Sequence, residues 1–208
     1  QGGVYLGSLA KCSVLYPKDP AEQSKIAEIL STIDRAIEQT EALIAKQQCI
    51  KAGLMQDLLT RGIDKQGNLR SKETHQFKDS SLGRIPVEWD AMTINDLAIH
   101  VASGVTPKGG ESVYTKEGVL FIRSQNVHFG GLRLEDVAYI PDRIHDLMLR
   151  SEIFENDILL NITGASIGRC CRMPRIDGKA NVNQHVCAIR LIHSSEADAG
   201  LFSLILES

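Results

Sequence analysis

Two groups of residues in this chain have types and spacings that could do chemistry. Asn183-Gln184-His185 stands two residues before Cys187. An imidazole near a thiol can support nucleophilic catalysis when an electropositive cleft depresses the thiol pKa. The same cluster also reads as a polar turn leading into a buried strand, the usual setting of such residues. Gly164-Ala165-Ser166-Ile167-Gly168 looks like a glycine-rich loop. It lacks the lysine and the helix-forming run that a phosphate cradle needs. Neither a Gly-x-x-x-x-Gly-Lys-[Ser/Thr] loop nor a Gly-x-Gly-x-x-Gly turn is present, and no Asn-Pro-Pro-Tyr segment appears. The six histidines are dispersed without i,i+4 pairs. Five cysteines, Cys12, Cys49, Cys170, Cys171 and Cys187, have neither zinc-ligand spacing nor a recognisable disulfide framework. Reduced, buried thiols in a cytosolic protein are the simpler reading.

Elements that could carry these groups follow from patterning. Asp19 suits a helix N-cap, Pro20 the first helical position, and Glu22 the third. No proline follows before Arg61, and Gly62 is a C-terminal stop. The result is a helix of about 42 residues, ~63 Å long at 1.5 Å per residue. Its apolar residues Ile26, Leu30, Ile33, Ile37 and Ile44, then Ile50, Leu54 and Leu58, form a stripe. That spacing predicts a coiled-coil-like helix lying along another helix. Ahead of it, Val4-Tyr5-Leu6 and Ser13 to Tyr16 read as strands of a domain mostly absent from this chain. Behind it, residues 63–82 are polar and read as a linker. From Gly83 onward, β-rich runs at 119–123, 157–162 and 185–192 alternate with Gly and Asn turns, with short helices expected at 93–98 and 195–206. This predicts an α+β domain with a twisted, mostly antiparallel sheet, Trp89 anchoring its opening turn.

The 208 residues are 43% hydrophobic and 24% charged, an ordinary globular composition. No apolar run approaches the ~18 residues of a membrane span. The net charge of −3 argues against a strong autonomous nucleic-acid binder. Its distribution is polarised, however: residues 134–158 are acidic, whereas 159–190 carry Arg169, Arg172, Arg175, Lys179 and Arg190 against Asp177 alone. A positive face or a solvated mixed surface is equally compatible with this pattern.

Several motifs, in order, resemble type I restriction–modification specificity subunits. Pro20-Ala21-Glu22-Gln23-Ser24-Lys25-Ile26-Ala27 with Leu30 and Ile33-Asp34 resembles the start of that family's central helix, and Leu54 to Gly62 its exit. Gly83-Arg84-Ile85-Pro86-Val87-Glu88-Trp89 resembles the opening of a target-recognition domain. Ser103-Gly104-Val105-Thr106-Pro107, Asn156-Asp157-Ile158-Leu159, Thr163 to Gly168 and Asn183-Gln184-His185-Val186 resemble its inner motifs. The resemblance implies four parts: the tail of a first target-recognition domain (1–18), a central spacer helix (19–62), a linker (63–82) and a second target-recognition domain (83–208). Most of the first domain and the second long helix of the family are missing from the sequence.

What the resemblance implies is a non-catalytic DNA-reading subunit in the cytoplasm. Such a subunit reads half of a split double-stranded DNA site and scaffolds the modification subunits, with a restriction subunit joining the complex. S-adenosylmethionine, ATP and Mg belong to those partners; no cofactor or metal is expected on this chain. Arginine suits guanine and Asn or Gln suits adenine in the major groove, which nominates Arg123, Ser124, Gln125 and Asn126; Asn161, Thr163, Ser166 and Arg169; and Asn183, Gln184 and His185. Lys108, Lys116, Arg172, Arg175 and Lys179 are nominated for phosphates. The Gly164–Gly168 segment is either part of this surface or a structural turn. The exposed stripe predicts that the fragment pairs with itself through its helix. Two rivals are a helical dimerisation module without DNA binding and an enzyme using His185 with Cys187.

Overall fold

The computed structural model describes residues 5–208, in two compact units, 1–53 and 54–208. In the first, Ser13 to Tyr16 form no strand; the chain instead makes one helical turn, α1 (Leu6–Leu9). The other expected strand begins at Val4, outside the described residues. The approach to the long helix is held by side chains, with Tyr16 Oη donating to Gln23 Oε1 at 3.0 Å and Gln23 Nε2 donating to the Pro17 carbonyl at 2.8 Å.

The long helix, α2 (Pro20–Thr60), has 41 residues, about 62 Å of rise. Asp19 caps it as expected, its Oδ1 accepting the Ala21 N–H at 2.9 Å. None of its residues is buried. Ile26, Leu30, Ile33, Ile37, Ile44, Ile50, Leu54 and Leu58 are all exposed.

In the second unit the helix ends where Gly62 takes a left-handed φ of 62° and donates to the Leu58 carbonyl at 3.1 Å. A Cβ there would lie 2.5 Å from the Trp89 ring, so the single tryptophan is seated against the helix exit, half-buried. Residues 63–82 hold an Asp64 turn, with Oδ1 accepting the Gln66 and Asn68 N–H groups, and one strand of a hairpin. Those bonds keep the Asp64 carboxyl below the usual range, the Asn68 N–H contributing most. The hairpin pairs β1 (Phe77–Ser80) with β2 (Gly83–Pro86).

Next come α3 (Ile94–Leu97), capped reciprocally by Thr93 and Asp96, and β3 (Ala98–Ser103). They are followed by β4 (Val119–Ile122), the short pair β5 (Val127–His128) and β6 (Gly131–Leu132), β7 (Ala138–Ile140), α4 (Asp142–His145) and β8 (Glu152–Ile153). The chain closes through β9 (Ile158–Asn161), β10 (Cys170–Arg172), β11 (Ala180–Val182), β12 (Val186–Leu191) and α5 (Glu196–Glu207). The α+β class holds, and pairing is mostly antiparallel. The strands make two four-stranded sheets, β10-β9-β12-β3 and β7-β4-β11-β8, whose one parallel pair is β4 with β11. Ile122 and Val182 of one sheet share a core cluster with Leu159, Val186 and Ala188 of the other. Phe202 and Ala199 of α5 cover Ile158, Ile189 and Leu191.

The starting end of β9 is pinned by charge. Asp157 is 1% exposed, and its two oxygens accept from Arg190 Nε and Nη2, both at 2.8 Å. Arg190 lies over the Phe154 ring, 4.2 Å from its centroid. Asn156, at φ 70°, donates to the Ser194 carbonyl and accepts from Arg172, which also pairs with Glu196 at 2.8 Å. The Asn156-Asp157 motif thus ties the turn before β9 to β10, β12 and the start of α5. Removing the carboxylate leaves the Arg190 guanidinium without its partner, and breaking such a pair costs about 3–5 kcal/mol. Asp157→Ala is therefore expected to lower the urea midpoint by that much stability; a loss below about 1 kcal/mol, read by circular dichroism, would contradict the pinning role.

Candidate nucleic-acid interface

The resemblance motifs, scattered in sequence, are brought to one end of the second unit. In one sheet β3 and β9 finish where β12 begins, since Ser103 is opposite Cys187 and Asn161 opposite Val186. In the other, β4 and β11 run parallel and finish together at Ile122 and Val182. Four segments therefore meet: 104–109 after β3, 123–126 after β4, 162–169 between β9 and β10, and 183–185 between β11 and β12.

Their junction is close. Gly104 donates to the Val186 carbonyl at 3.1 Å, and a Cβ on it would fall 1.8 Å from the Val182 carbonyl oxygen. Only glycine lets the two backbones approach this far. Asn161, 1% exposed, donates from Nδ2 to the Ser124 carbonyl at 2.8 Å and to Ser166 Oγ at 3.0 Å. Asn126, 2% exposed, caps its own loop by accepting the Arg123 N–H and donating to the Arg133 carbonyl. Asn183 is buried, and its Oδ1 accepts the His185 N–H at 3.1 Å.

These three asparagines, nominated for base edges, spend their amides inside the domain. The neighbouring Asn181 lies fully inside β11, bonded to His145 Nδ1, the Met148 carbonyl and Ser151 Oγ. Arg123 is half-buried, with Nη2 donating to the Asp136 carbonyl at 2.8 Å and the guanidinium over the Tyr114 ring. Ser124 and Ser166 are half-buried in this same framework.

The exposed face at this end carries Gln125, Thr163 and Gln184, with His185 half-buried beside them. Thr106 donates to Gln184 Oε1, Gln184 Nε2 lies 2.9 Å from His185 Nε2, and His185 Nδ1 bonds Thr163 Oγ1. Thr106 and Gly104 carry weight here that the sequence indicated only through their place in the Ser103–Pro107 turn. Of the nominated cations, Lys108 and Arg169 belong to the converging segments. Neither makes a side-chain hydrogen bond or ion pair among the described residues. Lys116 and Lys179 precede β4 and β11, Arg172 ends β10 and Arg175 follows it, so all four sit at the opposite strand ends. The basic stretch 159–190 does not make one positive face. Arg172 and Arg190 are neutralised by Glu196 and Asp157, and only Arg169 reaches the converging loops.

The Gly164–Gly168 segment matches Gly-x-Ser-x-Gly in residue order, yet it is no nucleophile elbow, as expected from the sequence. The fold sets it between antiparallel β9 and β10, not between a strand and a helix, and Ser166 is tied to Asn161. Burial pushes the Cys187 thiol up, opposite to what a nucleophile needs, and pushes Cys171 up to about 12. Among the described residues no three His, Cys, Asp or Glu side chains converge as a metal site, and no helix is long and apolar enough to cross a membrane.

No protein-family model matches the chain. A type I restriction enzyme specificity subunit (MjaVIII) of Methanocaldococcus jannaschii is 28% identical over 157 residues, covering 75% of this chain and 34% of that protein. The EcoBI specificity subunit of Escherichia coli is 28% identical over 197 residues, covering 89% of this chain and 40% of its own length. The chain is a relative of the type I restriction specificity subunits. It spans about a third of the length of the curated relatives it matches. A solved structure from work on complex assembly and conformational transition of the type I R-M system shares the fold, with a TM-score of 0.51 at 16% identity over 90% of this chain and 41% of that one.

The thiol environment gives a direct check on the enzyme rival. With Cys12 and Cys49 exposed and the other three buried, a thiol-reactive probe at pH 8 is expected to label two sites quickly and three only on unfolding. Preferential labelling of Cys187 would reinstate a nucleophile beside His185.

Proposed function

We propose that this chain is the part of a type I specificity subunit that carries a spacer helix and one target-recognition domain, and that the domain reads one half of a bipartite DNA site through its loop end. The carrying observation is the convergence of four segments that present exposed Gln125, Thr163 and Gln184 beside half-buried His185, donors and acceptors on a rigid base. Sequence in the major groove is read by such groups. Lys108 and Arg169 are the phosphate contacts that hold the register. Asn126, Asn161 and Asn183 shape the loops, and Arg175, Lys179 and Lys116 face away from the DNA. The α2 stripe takes an antiparallel helix, and the modification subunits that assemble on it supply S-adenosylmethionine chemistry; the restriction subunit supplies ATP- and Mg-dependent steps.

The two ends of the domain give opposite outcomes in the full-length subunit assembled with its modification subunits. Lys108→Ala and Arg169→Ala are expected to weaken DNA binding equally for cognate and non-cognate sequence, each lowering the salt slope by about 1. Arg175→Ala and Lys179→Ala are expected to leave both unchanged. The reverse pattern would move the interface to the other end of the strands.

The apolar stripe favours a second statement. With none of the described residues of α2 buried, this chain pairs with a second copy along it, because a contiguous apolar face in water drives association. Light scattering is expected to give a dimer whose mass is insensitive to salt, and Ile33→Glu with Ile37→Glu a monomer. A monomeric parent chain would remove the self-pairing statement without touching the loop end.

A further inference from the structure

The Gln184 side chain lies between two groups that both bind its amide, and this has a directional consequence. Thr106 Oγ1 donates to Gln184 Oε1, while Gln184 Nε2 lies 2.9 Å from His185 Nε2. An amide nitrogen only donates, so His185 Nε2 must accept and carry no proton. The neutral ring then holds its proton on Nδ1, which donates to Thr163 Oγ1. The line Thr106 to Gln184 to His185 to Thr163 crosses three of the converging segments, and every hydrogen in it has one direction. Turning the amide over would require a proton on His185 Nε2 and would make Thr106 an acceptor.

The relay uses one lone pair of Oε1 and one hydrogen of Nε2. An amide has two of each, so Gln184 retains one acceptor and one donor. It is exposed at the loop end, and its neighbours Asn183 and His185 are buried and half-buried. The adenine edge in the major groove offers a complementary pair, the N6 amino donor and the N7 acceptor. A free glutamine could turn over and present the pair in either order; a glutamine held between Thr106 and His185 presents one order for each tautomer of the ring, and the Nδ1-protonated tautomer sets the order seen here. We infer that Gln184 is a specificity-determining residue for one adenine in the half-site, and that Thr106 and His185 are positioning residues that fix the orientation of its amide. This inference rests on the reading of the loop end as a DNA interface.

Two measurements separate the relay from that reading. Nitrogen-15 NMR of the imidazoles in this 208-residue chain is expected to show His185 neutral with Nδ1 protonated and Nε2 bare. The opposite tautomer would overturn the relay whether or not DNA binds. The second is methylation-based motif sequencing with the full-length subunit and its modification subunits. Thr106→Val is expected to cut discrimination at one adenine of the half-site about tenfold, the scale of one bidentate base contact, with the other positions unchanged. Thr106→Ser is expected to restore it, and Gln184→Ala to lose it altogether. Thr106→Val weakening all positions alike would make the relay only a loop fastener and overturn the inference. A wild-type assembly that yields no motif would overturn the interface and this inference together.

Discussion

Everything at the loop end depends on one steric constraint: the backbone at Gly104 runs directly against the backbone at Val182 and Asn183. Gly104 directly follows the last residue of a strand in one sheet, and Val182 ends a strand of the other. Their contact brings the ends of both sheets to a common edge. The apolar cluster that includes Ile122, Leu159 and Val186 lies just beneath this edge and joins the two sheets. Asn161 works across the same junction, reaching Ser124 on one side and Ser166 on the other. Close packing of backbones leaves little freedom, and a surface that must present donors and acceptors in fixed positions needs that rigidity.

The division of labour among polar residues follows from burial. Amides inside the domain turn to internal partners: Asn126 and Asn183 bond backbone groups, and Asn161 gives Nδ2 to Ser124 and Ser166 while its buried Oδ1 meets no donor among the described residues. Exposed residues on the same loops keep unused capacity. Charge is divided in the same way. Arg190 and Arg172 neutralise Asp157 and Glu196 at the far end, while Lys108 and Arg169 stay at the loops. A net charge of −3 therefore says little about the local field of this edge.

Patterning made the long helix legible from Asp19 to Gly62, because capping and periodicity are local properties. The strands at Val119, Ile158 and Val186 and the helices beginning at Ile94 and Glu196 were legible for the same reason. The Ser13–Tyr16 segment was not: an apolar run becomes a strand only when another strand pairs with it, and none does among the described residues. The candidate site was legible as motifs but not as roles. Asn126 and Gln125 are adjacent and chemically alike, yet one is buried and the other exposed, a difference set by tertiary packing. Spacing likewise could not say that Arg172 and Lys179 leave the sheets at the end opposite Arg169.

The far-end cluster of Asn156, Asp157, Arg172 and Arg190 has a further meaning for how such a domain can change. Its bonds join the turn before β9 to β10, β12 and α5 without drawing on any side chain of the four converging segments. These fasteners and the four converging segments thus lie at opposite poles of the same strands. Loops can be exchanged, lengthened or recombined at one pole while the fasteners at the other stay intact. The domain is in this sense a socket whose loop end can vary while its frame is kept.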